Sequence, residues 1–114
     1  MSARDPMVRL RHMRDHAQEA LDLVSGKVRQ DLDSDRVLLL ALTHLVEIIG
    51  EAASQAPREV RAHYPQIAWT AIVGMRNRLI HGYDRINFDV LWAIIRNDLP
   101  PLVTEVERIV AEQL

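Results

Sequence analysis

The sequence predicts an all-α fold, with its 114 residues forming one domain, an antiparallel bundle of about five helices joined by short connections. Three observations carry that expectation. Apolar residues recur at helical spacing along most of the chain. Capping and stop signals lie at the edges of those stretches. Only four glycines break the chain.

The first helix starts at Asp5-Pro6, where Asp can cap and Pro is tolerated at the first helical position. Leu10, Met13, Ala17, Ala20, Leu21 and Val24 then form one apolar face, until Ser25-Gly26 stops it. The acidic stretch from Asp31 to Asp35 separates this helix from the second, which Ser34 or Asp35 can cap. The second helix runs to about Ala56 and stops before Pro57. It is apolar nearly all round from Val37 to Ala53, so one face suits its own bundle and another a second subunit. A short helical turn over Pro57–Ala62 leads into the loop His63-Tyr64-Pro65. A further helix is expected from Trp69 to Ile80, with Gly82 suited to its C-terminus. Asn87 caps the next, through Leu91, Trp92, Ile94 and Ile95, which Pro100-Pro101 must kink or break. A last amphipathic helix uses Leu102, Val103, Val106, Ile109 and Val110.

Composition narrows the function. With no cysteine, disulfides, thiolate zinc sites and cysteine nucleophiles are excluded, and a reducing compartment is favoured. The N-terminus has no apolar run behind its charge, and the strongest apolar stretch, Val37 to Val46, is half a bilayer span and closed by Glu47. A cytoplasmic protein with no membrane association is expected. The formal charge of −2 argues against coating nucleic acid by bulk electrostatics. Thirteen of the 14 basic residues are arginine, which an arginine-rich genome explains as readily as phosphate recognition does.

The chemistry concentrates in residues 74–83, Gly-Met-Arg-Asn-Arg-Leu-Ile-His-Gly-Tyr. Two arginines, an imidazole and a phenol fall together with no acid among them. On a continuous helix, positions five apart are rotated by about 140° and displaced by about 7.5 Å, so Arg76 and His81 are not same-face neighbours. Asn77 and Arg78 would share a face with His81. Arg76 could reach around its helix or meet a phosphate across a dimer axis, where two copies would surround one groove. The residue types suit phosphodiester cleavage. A histidine can take the ribose 2′-hydroxyl proton or protonate the leaving 5′-oxygen, and an arginine fork can hold charge developing on phosphoryl oxygens. With the 2′-hydroxyl as nucleophile, neither a metal nor a covalent protein intermediate is required. Spacing alone leaves a helix-end cap or a surface histidine as the alternative.

The run Arg76-Asn77-Arg78-Leu79-Ile80-His81-Gly82-Tyr83 resembles the Arg-x4-His-x-Tyr motif of the HEPN superfamily, in particular the HepT-like toxins of HEPN/MNT toxin–antitoxin pairs. The resemblance extends over nearly the whole chain, through Glu47-Ile-Ile-Gly-Glu51, Ile72-Val-Gly-Met75 and Asp98-Leu-Pro-Pro-Leu102. It implies a single HEPN domain over residues 1–114, a homodimer with its site in the cleft between protomers, and metal-independent ribonuclease activity on RNA without a cofactor. By position it implies catalytic roles for Arg76 and His81, with Asn77 as the polar residue beside the arginine. Tyr83 matches the tyrosine that an MNT-type nucleotidyltransferase antitoxin modifies with AMP. A bulky anionic nucleotide two residues from His81 would block the groove and repel RNA phosphate.

Other residues remain candidates. Glu47 and Glu51 lie four apart on the most apolar helix, and a carboxylate there needs a cation or donors. One of them is expected to pair with Arg76 or Arg78 and orient the site; a solvent-facing polar stripe is the alternative. His44 reads as a satisfied core or interface histidine. His12 and His16 have the spacing of a metal pair without supporting ligands, and fit a solvated face with Arg9, Arg11 and Arg14. Those arginines could extend an RNA track. Trp69, Trp92 and Tyr64 are expected to serve packing. Two rival functions share the same cluster: a non-catalytic RNA- or nucleotide-binding module, and a docking subunit for a nucleotidyltransferase.

Overall fold

The first helix, α1 (Pro6–Leu23), lies at the centre of the fold, with α3 (Arg36–Ser54) against one side and α8 (Leu99–Glu112) against the other. The computed structural model describes residues 5–80 and 85–113, and these form eight α-helical segments and one π-helical turn. Asp5 caps α1 by accepting from the Met7 N–H at 2.8 Å, and Pro6 fills the first helical position. Leu10, Met13, Ala17 and Ala20, spaced three and four apart, are fully buried on the face that enters the core. Gly26 adopts φ +76°, a left-handed conformation open to glycine, and reverses the chain after α1. The single turn α2 (Asp31–Ser34) then buries Leu32.

Asp35, one of the two expected caps, accepts from the Leu38 N–H at 3.0 Å and starts α3. Most of α3 is core: Leu39, Leu42, Val46, Ile49 and Ala53 are excluded from water. The one buried polar side chain in the described core, Thr43, donates to the Leu39 carbonyl at 2.7 Å, which removes the cost of burying its hydroxyl. By length and composition alone α3 is apolar enough to cross a membrane, and half of it is buried within the fold, as a core helix is. Its outward stripe begins with Val37 and Leu40, which are 78% and 47% exposed. The C-terminal carbonyls of α3 are satisfied by Arg61 of α4 (Arg58–His63). Its guanidinium donates to Ala53 and Ala56 at 3.1 Å and to Ser54 at 2.8 Å.

The helix expected over Trp69–Ile80 is divided at Gly74 into α5 (Trp69–Val73) and α6 (Met75–Leu79). It also ends one residue early, because Ile80 is extended and pairs with Ile86 in an isolated antiparallel bridge. The Leu79 carbonyl accepts from the Asn87 N–H at 2.9 Å. Asn87 caps α7 (Phe88–Ala93) through the Val90 N–H, as its position predicts.

Pro100-Pro101 neither breaks nor sharply separates the last two helices. The chain widens into a π-helical turn over Ile94–Asp98, in which the Leu99 N–H reaches back five residues to the Ile94 carbonyl. Both prolines then occupy the first turn of α8, where a missing N–H leaves no intrahelical bond unmade. This division, with the one at Gly74, yields more segments than the five helices read from periodicity. Trp69 is 7% exposed and donates from Nε1 to the Tyr64 carbonyl at 3.0 Å, so it serves packing. Trp92 is half-buried, with the Arg96 guanidinium 5.8 Å from its ring centre.

Candidate active site

Arg76 projects from α6 with 64% of its side chain exposed, and the chemistry around it depends on what α3 presents alongside. Glu47 is that neighbour. Its Oε2 lies 3.9 Å from Arg76 Nε, and its side chain is 39% exposed. At that separation near water the attraction is weak and no hydrogen bond forms, so the guanidinium keeps its donors free for an anion. The expected carboxylate–arginine pairing is therefore found at this position, one turn of α3 before Glu51. Glu51 is exposed and accepts from Gln55 Nε2 at 2.8 Å.

Arg78 takes a different course. It donates to the Asp98 carboxylate in the π-helical turn and to the Ala71 carbonyl at 3.1 Å. Its fork is committed to joining α5 and α6 to the turn before α8, away from Glu47. Asn77, between the two arginines, is exposed. His81 and Tyr83 lie outside the described residues. α6, which carries Arg76, Asn77 and Arg78, ends at Leu79, and Ile80 is extended. The two sides of that segment are held together by the Ile80–Ile86 bridge and the Asn87-to-Leu79 bond.

Arg76, Glu47 and Glu51 border an open cavity of about 610 Å³ in the groove between α1 and α3. Arg9 and His12 of α1 and His44 of α3 also line it. Arg9 is anchored there by donating to the Ala52 carbonyl at 3.1 Å. Half-buried Ile48 and Ala52 supply apolar surface between these polar groups. His44 is exposed on the single chain, so of the two places expected for it, core or interface, the core is excluded. Its polar neighbours explain why: positions 44, 47, 51 and 55 fall on the outward side of α3, where Leu45, Val46 and Ile49 do not. Sequence reasoning placed Arg9 and His12 on a solvated face without joining them to Arg76. Their spacing of three marks a shared face of α1, but only the packing of α1 on α3 joins that face to the cavity. Among the described residues, no three His, Asp or Glu side chains converge as a metal site.

The cavity combines a free guanidinium, an anchored one, two imidazoles and two carboxylates over an apolar floor. Such a set can hold a phosphate at its cationic rim and accept hydrogen bonds from a second part of the same ligand. A family model described as Ribonuclease HepT-like matches residues 13–109. A protein of Caldanaerobacter subterraneus subsp. tengcongensis, named as a putative RNase, is 32% identical over 95% of this chain and 96% of its own. Another of that designation, from Methanocaldococcus jannaschii, is 31% identical over 94% of this chain and 98% of its own. A Thermococcus cleftensis protein named as a probable ribonuclease HepT is 32% identical over 80% of this chain and 86% of its own. No solved structure matches the chain significantly.

Proposed function

The chain belongs to the HepT-like family, and on that premise we propose that it is a metal-independent endoribonuclease, the toxin of a HEPN/MNT toxin–antitoxin pair. The observation that carries this reading is the exposed Arg76 guanidinium, 3.9 Å from Glu47 at the edge of an open groove and five residues before His81. In the reaction, the His81 imidazole removes the 2′-hydroxyl proton of a bound ribose. The O2′ attacks the adjacent phosphorus, and the P–O5′ bond breaks as the leaving oxygen takes a proton from the imidazolium so formed, which returns His81 to its neutral state. Arg76 holds the charge that grows on the non-bridging oxygens. The products carry 2′,3′-cyclic phosphate and 5′-hydroxyl ends, and no cofactor enters.

The protein acts in the cytoplasm as one HEPN domain paired with a second copy. The exposed Val37 and Leu40 of α3 offer apolar surface for such a partner. Asn77 and the two glutamates support the site directly, and Arg78 supports it through α6. An MNT-type nucleotidyltransferase neutralises the toxin by transferring AMP from ATP to the Tyr83 hydroxyl, with release of pyrophosphate.

Purified protein incubated with RNA, and the product ends identified, tests the activity. Cyclic phosphate ends that vanish in both Arg76→Ala and His81→Ala support it. Cleavage retained in both variants removes the mechanism, and salt-dependent binding without turnover makes the protein a binding module instead. Intact mass after incubation with the nucleotidyltransferase and ATP tests the modification. An AMP-sized gain that is lost in Tyr83→Phe is the expected result.

A further inference from the structure

The cavity beside Arg76 presents two kinds of group that a polyanion meets in opposite ways. Arg76 on one side of α3, and Arg9 and His12 on the other, suit a phosphate chain. Arg9 uses only part of its five-donor fork on the Ala52 carbonyl. Glu51 lines the same cavity, and a carboxylate there repels phosphate unless donors meet it. Nucleobases supply donors of that kind. The apolar floor of Ile48 and Ala52 suits the face of a base, and about 610 Å³ is room enough for one nucleotide unit.

We propose that this cavity is a base-reading subsite for single-stranded RNA in which Glu51 selects guanine. The inference rests on the ribonuclease reading above and deepens it by naming a residue that sets substrate preference. Guanine is the base whose Watson–Crick edge presents two adjacent donors, N1–H and the N2 amino group, to match the two oxygens of a carboxylate. Cytosine and adenine place a ring acceptor beside their amino group, and uracil flanks its single N–H with two carbonyls. A carboxylate repels each of those acceptors. Gln55 holds Glu51 by donating to one oxygen at 2.8 Å, which orients the carboxylate while leaving lone pairs on both oxygens. Glu47 is occupied differently, since it faces Arg76. With a base on the floor of the cavity, its flanking phosphates fall toward Arg76 and Arg9.

The test uses the full chain and two fluorescent RNA hexamers, 2′-O-methylated throughout so that neither is cleaved. Each is uridine at every position but one, which is guanosine in the first and inosine in the second. Inosine keeps N1–H and lacks the N2 amino group. The wild type is expected to bind the guanosine hexamer on the order of tenfold more tightly than the inosine one. In Glu51→Gln that ratio should fall below about twofold, because the amide offers a donor where guanine needs an acceptor. Equal affinities in the wild type, or a preference that survives in both Glu51→Gln and Glu51→Ala, overturns the proposal. So does a Glu51→Gln variant whose self-association changes while its affinity ratio does not, since the groove is then a contact between copies. Cleavage of the unmodified hexamers reports separately. Turnover without a guanine preference removes this subsite and keeps the ribonuclease, whereas a Glu51-dependent preference without turnover does the reverse.

Discussion

Arg78 and Asp98 form an ion pair that joins α6 to the π-helical turn before α8, while the same guanidinium donates to the Ala71 carbonyl. Two residues apart in sequence, Arg76 and Arg78 therefore have different work. Arg76 faces an open cavity, and Arg78 braces the short helix that carries it.

Replacing Arg78 with Ala should cost about 1 kcal/mol of stability, the value of a partly exposed charged pair with one further hydrogen bond. Arg78→Lys should recover part of that, because one guanidinium nitrogen makes both contacts and an ammonium can stand in its place only as far as the shorter side chain reaches. Urea unfolding midpoints check both variants.

Arg76→Ala should leave the unfolding free energy within about 0.5 kcal/mol of the wild type, since its contact with Glu47 is long and exposed. Cleavage of RNA should nonetheless fall by about 100-fold or more, the loss seen when a group stabilising transition-state charge is removed. A matched loss of stability and activity would place Arg76 in the scaffold instead.

Glu47→Gln separates orientation from charge. The amide can still meet Arg76 but no longer attracts it electrostatically, so kcat should fall severalfold with little change in KM. Single-turnover cleavage under saturating RNA measures the chemical step directly.

Pro100→Ala combined with Pro101→Ala restores two backbone donors and removes the steric reason for the widened turn. The Ile94–Asp98 segment should relax toward an ordinary α-helix and turn Asp98 away from Arg78. In that background Arg78→Ala should cost less than half of what it costs alone. A double-mutant cycle of unfolding free energies reads the coupling.

Arg61→Ala should destabilise the fold by about 1–2 kcal/mol, because the Ser54 and Ala56 carbonyls lose the guanidinium together and Ala53 keeps only backbone donors. Hydrogen exchange should show the last turn of α3 opening more readily, with the protection of α1 falling less.

Much of this architecture was legible in the chain. Asp5-Pro6, Asp35 and Asn87 each cap the helix expected of them, and Leu10, Met13, Ala17 and Ala20 enter the core as their spacing requires. Those signals are local. A cap acts on backbone groups within three residues, and amphipathic spacing acts within two turns of helix. Less local features were not legible. His44 lies in an apolar run, yet its register on α3 sends it outward with Glu47 and Glu51. Pro100-Pro101 signalled an interruption, but how a helix absorbs two prolines depends on what it packs against.

Sequence by itself determined the helical class, the capped boundaries and the concentration of Arg76, Asn77, Arg78, His81 and Tyr83 in one short run, because these follow from residue identity and short-range spacing. Tertiary structure alone decided that Arg78 turns to Asp98, that Arg76 meets Glu47, and that Arg9, His12 and His44 share a cavity with them. The physical reason is distance along the chain: residues 9, 47 and 76 become neighbours only when α1, α3 and α6 bury their apolar faces together. That burial is non-directional, so it drives the helices together without revealing in advance which polar side chains will meet at their edges.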